Sequence, residues 1–411
     1  MKALSREFLL KRGYCCNSGC TNCPYKINEM IKLKDILSEQ FSFDGNTKPR
    51  AYVVPHAAPQ YSAHIALEVI KNISDYDYDS ILILGIDHEG GKPGIYAGSK
   101  YRPDMKKISK IKNAGLDMVK GDHSIGWILP LIESFSKLPI TPVVITNYNP
   151  KISNLLKSII DENTLIIAST DLSHHNPLEI AGKIDHKSIS NIQKESPKMD
   201  ACGINAIRTL YDLINEKLEL VDYDTSAHLE GNTDKVVGYA AFQAGGFSKD
   251  LLMARDAVRN FIRTKRFPRP SRNKRAAFIG ISKNGELQGS MGQTRPQMPA
   301  NIAAVEAFKS TLTDGRMQYD PKLIMTPGSG FEVKIRLFTN MQPTTMEEVI
   351  IGKDGIYVES GQKSAVFLPE VPTKEKWNHD IYIQELLKKG EITDNNFNLF
   401  KFQTESIMEI T

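Results

Sequence analysis

Residues Ile166 to Asn176 read IIASTDLSHHN, an apolar, β-branched run that ends abruptly in Asp171, Ser173, His174 and His175. With Asn163 to Leu165 in front, the run has strand length, and its lack of polar alternation predicts a strand buried on both faces. Three more runs share that character: AYVVP at 51–55, SILILGI at 80–86 and ITPVVIT at 140–146. Between them lie helix-like stretches, SAHIALEVIKNI at 62–73 and NPKISNLLKSII at 149–160. Strands alternating with helices predict an α/β domain with a mainly parallel sheet flanked by helices. VVGYAAFQAGG at 236–246 reads as its last strand and exit.

A second region starts at SKDLLMARDAVRNFIRTKRF, where Leu251, Leu252, Ala254, Val258 and Ile262 predict the buried stripe of a helix. Beyond it AAFIGIS, FEVKIRLF and SAVFLPEV read as strands, with turn signals at Asn284-Gly285 and Asp354-Gly355. That mixture is α+β. The expected division is a Cys-rich segment at 1–48, the α/β domain at 49–247 and the α+β domain at 248–411. No low-complexity linker separates the last two, which predicts that they pack together.

Composition bounds the function classes. A chain of 411 residues with 41% hydrophobic and 24% charged residues has the make-up of a globular protein of two domains or more. No run approaches the roughly 20 apolar residues of a membrane helix. The start, MKALSREFLLKRGYCC, breaks with charges where a secretion signal needs an apolar stretch, so the expected address is cytoplasmic. Net charge of +4 points to no partner by itself.

Histidine is distributed unevenly. Eight of nine (56, 64, 88, 123, 174, 175, 186 and 228) fall in the first domain. His56, His88 and His174 follow predicted strands directly, and open α/β sheets bind ligands outside the carboxyl ends of their strands. One such histidine is commonly a loop residue or a cap. Three, with Asp87 and Asp171 just ahead of two of them, predict a metal or acid/base site, since carboxylates often orient metal-bound imidazole. Cys202 is a candidate thiolate for the same centre. His64, His186 and His228 read as helical or solvated residues outside it.

The other four cysteines, Cys15, Cys16, Cys20 and Cys23, form the cluster CCNSGCTNC. In a reducing compartment such spacing reads as a zinc or iron–sulfur site before it reads as a disulfide set, with unliganded thiols as the alternative. The spacing of Cys16, Cys20 and Cys23 also equals that of radical SAM enzymes, although Asn22 stands where that family carries an aromatic residue.

Taken together, VVPHAAPQYSA, LGIDH, DHSIGWILP, ASTDLSHH, DACG and VVGYAAF resemble the Memo family in order and spacing, and that family's fold is similar to the metal-dependent class III extradiol dioxygenases. From about residue 249 the chain resembles the AMMECR family, through LLMARDAVRNFI, KNGELQGSMG, IGKDGIYVESGQKSAVFLPEVP and KEKW. The resemblance implies an extradiol dioxygenase-like (Memo-like) α/β domain followed by an AMMECR-like α+β domain, as in the AmmeMemoRadiSam system with its radical SAM partner. It places the metal ligands on His56, His88 and Cys202 and the acid/base on His174, with Asp171 beside it and Asp87, His123 and His175 lining the cleft. Iron is the metal it implies first, with copper or zinc as alternatives, because a thiolate replaces the carboxylate of the dioxygenases. Gly126 stands near where the family carries a glutamate, and Leu287-Gln288-Gly289-Ser290 replaces its LRGC motif.

The stretch Arg255 to Arg275 holds nine Lys or Arg against one acid, Asp256. A solvated basic face is its ordinary meaning, and a dock for RNA or an acidic partner the sharper one. The sequence therefore predicts a metal-dependent oxidoreductase or redox component, with a non-enzymatic binding or assembly protein as the alternative.

Overall fold

The computed structural model describes residues 48–411 apart from 99, 121, 122, 340, 394 and 395. The cysteine cluster at Cys15, Cys16, Cys20 and Cys23 lies outside the described residues. The first sheet has nine strands: β1 (Ala51–Val54), β2 (Ser80–Gly85), β3 (Gly94–Tyr96), β4 (Met118–Val119), β5 (Ile140–Val144), β6 (Thr164–Ser169), β7 (His174–Asn176), β8 (Leu218–Thr225) and β9 (Val236–Ala244). Its order is β4-β3-β5-β2-β6-β1-β9-β7, with β8 also paired to β9. The middle of the sheet, β5-β2-β6-β1, is parallel throughout, and β9 closes against β1 antiparallel.

Every residue of β1, β2, β5 and β6 is buried, as the uninterrupted apolar runs require. Successive side chains alternate between two cores. Ala51, Val53, Leu82, Leu84, Ile166 and Ala168 face one, and Tyr52, Val54, Ile81, Ile83, Leu165 and Ile167 face the other. The second core is covered by helix α1 (Pro59–Ile70), and the first by α2 (Met105–Asn113). The short α3 (His123–Gly126) and α4 (Leu129–Phe135) return to the α1 side. Helices α5 (Pro150–Lys157), α6 (Leu178–Gln193) and α7 (Ile204–Leu213) complete the α2 side. Local chemistry starts these helices where the sequence has its signals. The side chain of Asp104 accepts from the Lys107 amide and that of Asn149 from the Lys151 amide, while Pro59 and Pro150 open α1 and α5.

The second region is α+β. Helices α8 (Lys249–Thr264) and α9 (Ala300–Thr311) pack on an antiparallel sheet whose strands include β10 (Ala277–Lys283), β11 (Glu286–Gly292) and β12 (Phe331–Phe338). In the helix stripe Leu252 is only half-buried, and Phe261 joins the core in its stead. A further antiparallel sheet, containing β13 (Gln342–Pro343), β14 (Gly355–Ser360) and β15 (Lys363–Phe367), carries helix α10 (His379–Lys389). Asn284-Gly285 forms the expected tight turn between β10 and β11, both residues having positive φ (52° and 84°). Asp354-Gly355 does not form a hairpin. The Asp354 carboxylate accepts from the Ile350 amide and from Gln403, which makes it the entry to β14, and the β14–β15 turn falls at Gly361.

Buried charges join the two regions. The Lys334 Nζ lies 2.7 Å from Asp222 and 3.0 Å from Glu68 of the α/β domain, and His186 Nε2 lies 2.6 Å from Glu332 Oε1. Asn284 donates to Glu179, and a side chain at Gly285 would run into Asp224, so the turn is held against the α/β domain. His64 and His228 bind the two oxygens of the buried Asp224 carboxylate. These three histidines, His64, His186 and His228, lie on helices and serve the fold, and His64 is half-buried.

Candidate metal centre

The carboxyl ends of β2, β6 and β1 are adjacent in the sheet, and each delivers site residues. His56 follows β1 and is buried, and His88 follows β2 and is exposed. The loop after β6 carries Asp171 and His174. The third imidazole, His123, comes from the first position of α3. Nitrogens of His56, His88 and His123 all lie within 4.8 Å of one another. The rings of His88 and His123 stack at 4.6 Å, and His56 meets both edge-on at 5.3 and 5.5 Å.

The supports of these rings are specific. Ser124 Oγ donates to the Ile86 carbonyl and accepts from the Ile86 amide, which ties α3 to the end of β2 and sets His123 beside His88. That approach requires Gly85, because a Cβ there would collide with Ile125 and Ser124. The Asp87 carboxylate accepts from the Glu89 and Gly91 amides, fixing the loop that presents His88.

Hydrogen bonding also assigns a tautomer to His56. Ser169 Oγ donates its single proton to the Ser124 carbonyl at 2.7 Å, so it receives a proton from His56 Nδ1, also 2.7 Å away. His56 Nε2 is then the acceptor nitrogen, the one a metal needs. Replacing Ser169 by alanine is expected to lower metal affinity about 10- to 100-fold without unfolding the domain, as measured by competition with a chelator.

Asp171 and Cys202 close the far side. The Asp171 carboxylate accepts from the His56 amide at 2.8 Å and stands 4.0 Å from His56 Nε2. Burial raises its pKa, against the pull of the His56 amide and the charges of His174 and His123. Cys202 Sγ lies 3.3 Å from His56 Nε2 and accepts from the Asp171 amide. Burial, reinforced by the Asp171 charge, pushes the thiol up to about 12, so without a metal it is protonated and faces the acceptor nitrogen of His56. Cys202 thus adjoins the three-imidazole group through His56. His174 is half-buried at the rim, close enough to Asp171 for their charges to interact, while the carboxylate itself binds backbone amides. His175 is exposed, with φ of 58°. Trp127 sits at the mouth, 39% exposed, its ring 4.7 Å from that of His123.

In the second domain, Leu287, Gln288, Gly289 and Ser290 lie on β11. The Ser290 amide is held by Asp314, which itself pairs with Arg316. The basic stretch divides in two. Arg255 pairs with Glu219 and Glu409, Arg259 with Glu409, and Arg275 with Glu405, whereas the cations from Arg263 to Lys274 have no carboxylate partner among the described residues.

Comparison with known proteins matches residues 24–243 to the family described as Memo-like protein, residues 251–407 to AMMECR1, and residues 1–29 to a family of unknown function. A MEMO1 family protein of Aquifex aeolicus is 28% identical over 251 residues, covering 53% of this chain and 93% of that protein. One from Sulfurisphaera tokodaii is 26% identical over 234 residues, covering 47% of this chain and 82% of its own length. The crystal structure of an uncharacterized protein from Pyrococcus horikoshii matches with 20% identity and a TM-score of 0.34, over 39% of this chain and 89% of that one. The family match spans more than half of the sequence and contains all of the imidazole cluster. The chain belongs to the Memo family and carries an AMMECR1 domain behind its Memo domain.

Proposed function

We propose that the Memo domain is a metal-dependent redox centre whose ion is held by His56, His88 and His123, with the Cys202 thiol beside it. The observation that carries this reading is the convergence of three imidazole nitrogens within 4.8 Å at the carboxyl ends of the central strands. The donor set fits an ion: three imidazoles, each offering a nitrogen within 4.8 Å of the others, would hold a first-row transition metal. His56 already has the right tautomer. Iron is the first candidate and copper the second, and either, when bound, supplies open coordination positions and a one-electron couple.

The resemblance places Cys202 in the ligand set; the geometry favours His123. These assignments differ in protons. Ligation by Cys202 releases a proton from a thiol that otherwise holds it, whereas a neutral imidazole has none to release. Proton release measured alongside ion binding separates them.

The remaining residues position and move protons. Asp171 holds the backbone at His56, so the imidazole keeps its place when a ligand enters. His174, on the rim, exchanges a proton with a ligand whose reacting atom lies over the cluster. The expected result for His174→Ala is retention of the metal with a 100- to 10,000-fold loss of oxygen consumption by the ferrous-loaded protein. Asp171→Asn should cost less. Loss of the metal in His174→Ala assigns the residue to the ligand set, and full activity removes it from the mechanism.

A further inference from the structure

Residues 263–274 read RTKRFPRPSRNK, with Arg263, Lys265, Arg266, Arg269, Arg272 and Lys274 and no acid. All six are exposed. The chain's net charge is only +4, so without this segment the rest of the protein is net acidic. Among the described residues none of the six is paired with a carboxylate. The nearby acids are engaged elsewhere: Asp250 with Asn273 and Arg275, Asp256 with Arg255 and Arg259, and Glu306 with Lys309. Six uncompensated cations on twelve consecutive residues repel one another, and a folded protein keeps such a row at a cost that an anionic partner removes.

The segment is also fixed in place. The buried Asn301 side chain accepts from the Ser271 amide at 2.9 Å and donates to the Arg269 carbonyl at 2.7 Å. Lys265 ends α8 in the left-handed conformation and donates to the Met325 carbonyl. The Ala300 amide donates to the Asn273 carbonyl, and Arg275 anchors the exit on the Phe338 carbonyl. Residues 265–271 lie in no helix or strand, and Pro268 and Pro270 bias the residues before them, Phe267 and Arg269, to extended backbone. Arginines recur at every third position, 263, 266, 269 and 272. Arg263 belongs to α8 and Lys265 turns left-handed, so the non-helical part of the row starts at Arg266.

Phe267 stands in the middle of the row. It is 46% exposed, meets Phe261 edge-on at 5.5 Å, and has the Lys309 ammonium 4.7 Å from its ring centre. An exposed aromatic ring between cations suits an unpaired base flanked by phosphates, which uses both, whereas the carboxylates of an acidic peptide use only the cations.

We propose that the face formed by Arg263 to Lys274 docks single-stranded nucleic acid, with the six cations along the phosphates and one base on Phe267. This surface is independent of the metal centre. It reads backbone charge and a base face, so it accepts RNA and DNA strands alike.

Fluorescence anisotropy of the full chain with a labelled twelve-residue uridine oligonucleotide, in chelator and across a sodium chloride series, tests it. Six released counterions give a slope of log K against log salt of about −4, at roughly 0.7 per cation for single strands. R266A/R269A should flatten the slope by about 1.4 and weaken binding about 25-fold at 0.1 M salt. Phe267→Ala should weaken binding about tenfold with the slope unchanged, the size of one base–aromatic stack. Both variants alter exposed side chains, and unchanged melting confirms that they fold. The thymidine counterpart should bind within about tenfold of the uridine oligonucleotide. Absence of binding at 50 mM salt, affinity unchanged in R266A/R269A, or equal competition by poly-L-glutamate would each overturn the proposal, the last by assigning the face to an acidic protein.

Discussion

The His56→Ala protein is expected to lose the metal of the Memo domain at every ion concentration that saturates the parent. His56 is the buried member of the trio, and its Nδ1–H is fixed on Ser169, so its Nε2 is the preorganised donor around which the exposed His88 and the half-buried His123 close. Removing it leaves two imidazoles. It also removes the imidazole beside the Cys202 thiol, which keeps only the Asp171 carbonyl and Thr170 as neighbours, and leaves the raised-pKa Asp171 beside a cavity. An affinity loss of at least 1,000-fold is expected, beyond the 10- to 100-fold that follows loss of a supporting hydrogen bond. Acid should have a similar effect on the parent, because imidazole binds metal only when neutral. Affinity should therefore fall with acid, as protons compete with the ion for the ligand nitrogens. Dialysis against chelator-buffered ferrous ion at pH 7.5 and pH 5.5 measures both effects.

Lys334→Met is expected to cost about 3–5 kcal/mol of stability, the penalty for leaving buried carboxylates without their cation. The Lys334 side chain is 4% exposed and lies between Asp222 and Glu68, with Lys71 3.8 Å from Glu68. Burial alone would raise the Glu68 pKa, but the charges of Lys334, Lys71 and Arg336 outweigh it and hold the carboxyl far below its usual 4.5. A depressed acid contributes stability above its unfolded pKa and loses that contribution as pH falls through the folded value. The parent should accordingly weaken below about pH 4.5. In Lys334→Met the carboxylates gain from protonation, so the gap between the two proteins should narrow on the same side. Urea unfolding at pH 7 and pH 4 checks the sign and size. A loss under about 1 kcal/mol at pH 7 means that the seam is hydrated. Adding Glu68→Gln and Asp222→Asn to Lys334→Met should return part of the loss, because the stranded charges are then gone.

Much of the α/β architecture was legible because its strands are buried on both faces and read as unbroken apolar runs. His56, His88 and the Asp171–His174 loop were visible for the same reason, each following such a run. His123 was legible only as a cleft residue. It comes from the start of a four-residue helix after a two-residue strand, too short for any periodicity, and the bond that places it, Ser124 to the end of β2, joins residues 38 positions apart. The role of His64, His228 and His186 was hidden likewise. Their partners, Asp224 and Glu332, lie 160, 4 and 146 residues away, and two of the three pairs depend on tertiary packing. Asp354-Gly355 misled because a turn dipeptide reads the same whether it closes a hairpin or, as here, caps a loop with its side chain. The basic stretch showed its charge but not its division, since Glu219, Glu405 and Glu409 reach Arg255, Arg259 and Arg275 from distant strands.

Metal counting alone does not locate an ion in a chain that also carries the cysteine cluster Cys15, Cys16, Cys20 and Cys23, so the most direct test uses Trp127. Its ring is 4.7 Å from that of His123, and the other tryptophan, Trp377, packs on Phe367 in the AMMECR1 domain. In a Trp377→Phe background, anaerobic titration with ferrous ion should quench Trp127 emission with an end point at one equivalent. The same titration of Trp377→Phe/His56→Ala should show no saturable quench. An unquenched Trp127 in the parent, or an identical curve in the His56→Ala form, would contradict the assignment of the metal to His56, His88 and His123.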